Sequence, residues 1–212
     1  MLHLLWVVLL SYLLGSFPTS IVAGKILRGI DIRQYGSGNA GATNVFRVLG
    51  WKAGVVVLLI DIAKGFVPTV YFYQLAVGRV GLAPIDLQLV VGFSAVAGHI
   101  WTVFAGFKGG KGVGTGAGML LGIAPAAVGI SLIVFIATVA LTRYVSLGSI
   151  LSAIAFPCAL FVLDHVTEMT VPAHLYAFGV FIALLILFTH RSNIARLLRG
   201  TENRIQFSTK SR

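Results

Sequence analysis

The amino-acid sequence predicts an all-α integral membrane protein, a seven-helix transmembrane bundle with two short central helices, its N-terminus outside and its C-terminus cytoplasmic. Three observations predict it. The chain is 58% hydrophobic and only 10% charged, where a soluble domain carries about 25% charged residues. Its apolar residues fall into long runs separated by short polar segments, and its basic residues gather in alternate connections between those runs. A chain this apolar cannot cover a water-facing surface, so lipid is its solvent.

The runs cover residues 2–23, 53–73, 87–104, 113–141, 147–163 and 171–188. Most approach the ~20 residues that cross a hydrocarbon layer about 30 Å thick. The first has no Lys or Arg ahead of it, whereas Lys25, Arg28 and Arg33 follow. A secretory signal carries its positive charge in front. The run is therefore read as a retained helix entering from outside.

Charge decides the fourth run, which is too long for one span and contains Pro125. Lys25, Arg28, Arg33, Arg47 and Lys52 lie in one connection, opposed only by Asp31; Lys108 and Lys111 lie in another. Arg191, Arg196, Arg199, Arg204, Lys210 and Arg212 follow the last run, whereas Asp164 and Glu168 sit in a connection without basic residues. Crossing once over 113–141 would leave the basic tail outside. Dividing the run near Pro125 into two short helices places every basic connection inside, Arg143 included. Half-length helices are tolerated where they pack on protein. The chain is thus read as a single polytopic domain, 1–212, with a short basic cytoplasmic tail from about 190.

The net charge of +10, from 16 Lys+Arg against 6 Asp+Glu, follows first from topology and second from anionic headgroups or substrates; nucleic acid is not expected as a partner. The single cysteine, Cys158, excludes an intrachain disulfide and a Cys-rich metal site and is read as a packing residue. Trp6, Trp51, Trp101 and Tyr144 lie near span ends and suit the interfacial aromatic belt.

Several constellations bear chemistry. The first is Tyr35-Gly-Ser-Gly-Asn-Ala-Gly-Ala-Thr-Asn44, continuing to Arg47. Gly36, Gly38 and Gly41 permit backbone that exposes N–H groups, which with hydroxyls and amides can wrap an anion. Ser37, Asn39, Thr43 and Asn44 add neutral donors, and Arg47 a permanent charge. The second is Gly106-Phe-Lys-Gly-Gly-Lys-Gly112, ahead of a helix starting near Val113. Gly106, Gly109 and Gly110 with Lys108 and Lys111, leading into a helix N-terminus, form a phosphate-binding arrangement. It is no Walker A loop, because three residues rather than four separate Gly106 from Gly110-Lys111, and Gly112 follows.

Asp61 and Lys64 share a helical face at membrane depth, which suits either a structural ion pair or a substrate contact. His99 lies in a span, as a core histidine or a site residue. Past the last run, His190 and Asn193 share a face and can hydrogen-bond a ligand, with Arg196 and Glu202 following. Ser146 and Ser149 lie at a cytoplasmic turn. No spacing suggests a metal site or calls for a cofactor, and nothing resembles a nucleophile paired with His and Asp. An anion transporter would want similar groups, but these cluster at one face and no inverted repeat is visible.

Gly36-Ser-Gly-Asn-Ala-Gly-Ala-Thr-Asn-Val-Phe-Arg47, Asp61-x-x-Lys64-Gly65, Gly98-His99 with Phe107-Lys-Gly-Gly-Lys-Gly-Val113, and His190-x-x-Asn193-x-x-Arg196-x-x-x-Gly200-x-Glu202 together resemble the PlsY-type bacterial glycerol-3-phosphate acyltransferases. The resemblance runs in order through almost the whole chain. It implies a seven-helix bundle in the bacterial cytoplasmic (inner) membrane with its site facing the cytoplasm. It implies acyl transfer from acyl phosphate to position 1 of glycerol 3-phosphate, giving lysophosphatidic acid and phosphate. By the same resemblance Ser37 and Arg47 are essential, the glycine loop with Lys108 and Lys111 binds phosphate, and His190 and Asn193 assist. Glu202 supports structure, and one of Ser146 and Ser149 contacts substrate. Partners would be glycerol 3-phosphate, acyl phosphate, membrane lipid and the enzyme that produces acyl phosphate. One departure is Thr102, where the family commonly has proline; it bears on local helix shape.

Overall fold

The computed structural model describes residues 1–167 and 170–205; Glu168, Lys210 and Arg212, counted above among the connecting and tail charges, lie outside the described residues. Ten α-helices and no strand occur among them. In chain order these are α1 Leu2–Ser16, α2 Thr19–Arg28, α3 Ala42–Leu49, α4 Trp51–Val70 and α5 Pro84–Ile100, then α6 Val113–Ile123, α7 Pro125–Thr142, α8 Val145–Val166, α9 Ala173–Thr189 and α10 Arg191–Leu198.

Five helical stretches are long and apolar enough to cross a bilayer: Leu2–Arg28, Trp51–Leu75, Pro84–Ala105, Pro125–Thr142 and Val145–Val166. A sixth is counted if α9 and α10, bent by 63° at their junction, form one span, and α6 is a shorter apolar helix of 11 residues.

Prolines mark the breaks in two of the long apolar runs, whereas Pro68 and Pro157 lie inside the unbroken helices α4 and α8. The first run divides at Phe17–Pro18: proline lacks an N–H and drives the residue before it out of helical geometry, and Phe17 has φ −55° and ψ 116°. The fourth run divides at Ala124, with φ −138° and ψ 68° ahead of Pro125. Of the two helices expected there, only α6 is short; α7 has 18 residues. A further difference concerns the first glycine-rich segment. Its loop ends at Gly41, and Thr43, Asn44 and Arg47 lie on α3. From Ala42 to Leu49 no glycine interrupts the chain, and Val45 packs with Ile32 and Val57 in a buried cluster that also engages Val48 and Leu49. That spacing suits one face of a helix.

The chain forms two compact units, Met1–Pro125 and Ala126–Arg212. In the first, α1 lies along α5 and α4 along α6. Glycines make these crossings close: a Cβ at Gly15 would meet the Ala95 carbonyl, and one at Gly65 the Thr115 carbonyl. Lipid supplies no hydrophobic drive between helices, so close backbone packing carries the association. In the second unit α8 lies along α9. Asp164 fastens them, accepting from the Val171 N–H at 2.8 Å and from the Tyr176 hydroxyl at 2.8 Å. Cys158 is exposed on α8 rather than packed inside, which an apolar solvent permits.

Candidate active site

The first unit builds a polar region from both glycine-rich segments. Asp31 starts a short 3-10 turn, Ile32–Gln34, by accepting from the Arg33 N–H at 3.0 Å. Asn44, fully buried on α3, then fixes the loop. Its amide donates to the Ile32 and Tyr35 carbonyls, each at 3.0 Å, while its oxygen accepts from the Ser37 N–H at 2.8 Å. Gly36 (φ 61°) and Gly38 (φ 72°) carry the left-handed turns on either side of Ser37. The Ser37 hydroxyl, half-buried, has no partner among the described residues.

The second segment turns sharply after α5. Gly106 (φ 64°) and Phe107 (φ 59°) are consecutive left-handed residues and leave Lys108 exposed. The chain then doubles back, the Gly109 N–H donating to the Ile100 carbonyl and the Gly110 N–H to the His99 carbonyl, each at 3.0 Å. Those two amides are taken up inside the fold. A Cβ at Gly109 would meet the His99 carbonyl, and one at Gly110 the His99 ring and the Ala40 carbonyl. Helix α6 starts immediately after Gly112, and no side chain caps it. Its first-turn N–H groups have no intrahelical acceptor and carry the positive end of the helix dipole.

Beneath lies a buried ionic cluster. Lys64 Nζ is 2.7 Å from Asp61 Oδ1 and donates to the Phe17 carbonyl, at the proline break, at 2.8 Å. His99 Nδ1 stands 3.7 Å from the same Asp61 oxygen. The three side chains are at most 7% exposed. With Ser16, Ala40 and Gly110 they line a small pocket. Thr102 has φ −68°, the value proline would fix, so the departure from proline leaves the backbone path intact. Its hydroxyl adds a hydrogen bond to the Ser16 carbonyl.

The second unit gathers its polar groups on Glu202. Oε1 accepts from Ser146 Oγ at 3.0 Å and Asn193 Nδ2 at 2.7 Å, and Oε2 from Arg196 Nε at 2.7 Å. Burial pushes the Glu202 carboxyl up, but the hydrogen bonds from Asn193, Arg196 and Ser146, with the Arg196 charge, outweigh it and leave it below its ordinary value. Ser149 instead turns back to the Val145 carbonyl of its own helix at 2.9 Å. His190, buried at the α9–α10 bend, places Nδ1 2.8 Å from the Ile186 carbonyl. A carbonyl only accepts, so Nδ1 carries the hydrogen and a neutral ring has its lone pair at Nε2.

Asp31 and Arg33 belong to the first polar region, although the sequence marks them only as charges. Asp31 holds the Arg33 guanidinium through Nε and Nη2, and Arg33 Nη1 donates to the Ala105 carbonyl at 3.0 Å. The readable signal was the Asp-x-Arg spacing ahead of the glycines; the partner at Ala105 had none.

Fold and site define a multi-pass helical membrane protein with cationic, glycine-rich loops brought together at one polar region. The family model for glycerol-3-phosphate acyltransferase matches residues 5–200. Glycerol-3-phosphate acyltransferases of Chlorobaculum tepidum and Chlorobium phaeobacteroides are each 50% identical to this chain, with all of both chains covered. The crystal structure of PlsY (YgiH), an integral membrane glycerol 3-phosphate acyltransferase, is similar in its glycerol 3-phosphate form at TM-score 0.80 and 38% identity, covering 96% of each chain. Its lysophosphatidic acid form is similar at TM-score 0.81 and 39% identity, covering 96% of this chain and 95% of that one. The chain belongs to the glycerol-3-phosphate acyltransferase family, PlsY type, and is a membrane acyltransferase.

Proposed function

We propose that this chain acylates position 1 of glycerol 3-phosphate from acyl phosphate, giving lysophosphatidic acid and inorganic phosphate. One observation carries the reading: both glycine-rich segments meet in one compact unit, with Gly110 against Ala40 and Arg33 on Ala105. Two phosphorylated molecules held side by side gain several kcal/mol from proximity alone. Acyl phosphate also suits a chain whose lipid-facing surface can keep the acyl tail in the bilayer.

The proposed chemistry is a direct transfer. The glycerol hydroxyl oxygen attacks the acyl carbonyl carbon, the bond from that carbon to the phosphate oxygen breaks, and phosphate leaves with the electron pair. A phosphate oxygen of the bound substrates takes the hydroxyl proton. Phosphate is a good leaving group from this mixed anhydride, so no protein nucleophile is required. Lys108 and Lys111, with the first-turn amides of α6, hold phosphate; Gly109 and Gly110 act by letting the loop close. Ser37, Gly38, Asn39, Thr43 and Arg47 hold the second anion, with Asn44 fixing the loop. A donor aimed at the developing oxyanion is worth about 3–4 kcal/mol, and the unpartnered Ser37 hydroxyl is the group assigned to it. His190 and Asn193 assist binding. One of Ser146 and Ser149 contacts substrate. Asp61, Lys64, His99 and Glu202 support the site.

In this reading residues 1–212 act as one functional domain in the bacterial cytoplasmic membrane. Seven crossings, with α6 and α9 each counted, run from an outside N-terminus to a cytoplasmic tail. The site faces the cytoplasm, where contact with the acyl-phosphate-producing enzyme is open to it. Purified protein given glycerol 3-phosphate with acyl phosphate, acyl-CoA or acyl carrier protein in parallel tests the donor. Product from acyl phosphate alone is expected; product from a thioester donor alone would overturn the assignment.

A further inference from the structure

The geometry points to Arg33, oriented by Asp31, as a positioning residue that sets the spacing between the two anion-holding segments. Asp31 grips one edge of the Arg33 guanidinium: Nε is 3.1 and 3.2 Å from its two oxygens, and Nη2 is 2.7 Å from Oδ2. The same carboxylate accepts the Arg33 N–H at 3.0 Å. These bonds hold the Asp31 carboxyl down at about 2. The guanidinium is thus aimed before it meets anything else. Its remaining arm, Nη1, reaches 72 positions along the chain to the Ala105 carbonyl at 3.0 Å.

Both ends of this link are built into substrate-facing backbone. Ala105 closes the 3-10 turn that precedes the left-handed pair Gly106 and Phe107, and its carbonyl also faces the Lys108 N–H at 3.4 Å. On the other side, the Ile32 and Tyr35 carbonyls that flank Arg33 accept from Asn44, which holds the Ser37 N–H. A continuous path therefore runs from Ser37 through Asn44 to the Arg33 turn, and through the guanidinium to the backbone of the Lys108 turn. Such a clamp fixes the distance between the segments through bonds internal to the protein. A planar guanidinium holds carboxylate and carbonyl at once, which a lysine ammonium on its flexible stem does not reproduce.

The assignment rests on the reading that the two segments each hold a phosphorylated substrate. If Arg33 sets their separation, each substrate still binds when the clamp is lost, but the pair is misaligned, and a displacement of about 1 Å costs up to 100-fold in turnover. The test uses full-length Arg33→Lys, Arg33→Ala and Asp31→Asn proteins in detergent beside the parent. Calorimetry with glycerol 3-phosphate gives affinity and the fraction of competent sites, and steady-state assays give kcat and KM. For Arg33→Lys the expected result is binding within threefold of the parent at full stoichiometry, with kcat down roughly 10- to 100-fold. Added guanidinium ion should restore part of the Arg33→Ala rate, and Asp31→Asn should lose less in the same direction. The clamp is overturned if kcat stays within threefold in both Arg33→Lys and Asp31→Asn. It is equally overturned if kcat falls only in step with the number of binding sites. Failure of the donor assignment is separate: the parent would then make no product from acyl phosphate, while the comparison runs unchanged with whichever donor supports turnover.

Discussion

Ser146 on α8 donates its hydroxyl to Glu202 at 3.0 Å, joining residues 56 positions apart. Glu202 lies beyond α10, and its carboxylate also collects Asn193 and Arg196. One acid thus fastens the chain after the last helix to α8 and to α10, and fixes the side chain of Asn193.

Removing that acid should loosen all three elements together. Glu202→Ala leaves buried donors on Ser146 and Asn193 and separates Arg196 from its partner. Losing one member of a buried hydrogen-bonded charge cluster costs roughly 2–4 kcal/mol, read as a lowered Tm in detergent, and activity should fall with it. Glu202→Gln, which keeps the shape, should lose less.

The same carboxyl predicts a pH dependence. Its folded value lies below its ordinary one, so it contributes stability above the unfolded value of about 4.3. That contribution is lost as pH falls through the lowered folded value. Asp31, lowered from 3.8 to about 2, acts in the same sense across that interval. Thermal melts between pH 6 and pH 3 should show the parent losing stability over the acid limb. Glu202→Gln should show a shallower slope; an identical slope would contradict the assignment.

Gly109 and Gly110 should resist even alanine. A Cβ at either position meets His99, whereas at Gly116 on α6 it meets nothing. Gly109→Ala and Gly110→Ala are expected to lower kcat/KM at least 10-fold, the scale of a roughly 1 Å displacement of the loop. Gly116→Ala should stay near the parent in activity and gain slightly in helix stability.

The buried pair Asp61 and Lys64 should behave asymmetrically. Lys64→Met strands the Asp61 charge and the Phe17 carbonyl, at an expected cost of about 3–5 kcal/mol. The double replacement Asp61→Leu with Lys64→Met removes both charges and should recover much of that loss. Tm values for the two single variants and the double complete the cycle.

His190→Gln separates two sources of proton removal. If a substrate phosphate takes the proton, kcat should fall only modestly. A loss of roughly 1,000-fold or more would instead make His190 the base.

Much of the fold was legible because hydropathy and proline act locally. The break before Pro125, and the lipid-spanning character of the runs that became α4, α5, α7 and α8, follow from residues a few positions apart. The break at Pro18 was equally readable from the Ser16, Thr19 and Ser20 that flank it, but no Lys, Arg, Asp or Glu falls within the run 2–23 to divide it by charge. Helix α3 was hidden by the glycines before it; only its burial against Ile32 and Val57 makes its amphipathic face count.

The sequence by itself determined a lipid-soluble helical chain, the positions of its glycine-rich and basic segments, and through their motifs its family. Only the tertiary structure decided which groups those segments meet: Arg33 on Ala105, Lys64 on Phe17, Ser146 on Glu202, Gly110 on His99. The reason is physical. Apolarity and backbone freedom belong to a residue and its neighbours, whereas a hydrogen bond across many positions exists only once helix packing brings donor and acceptor within about 3 Å.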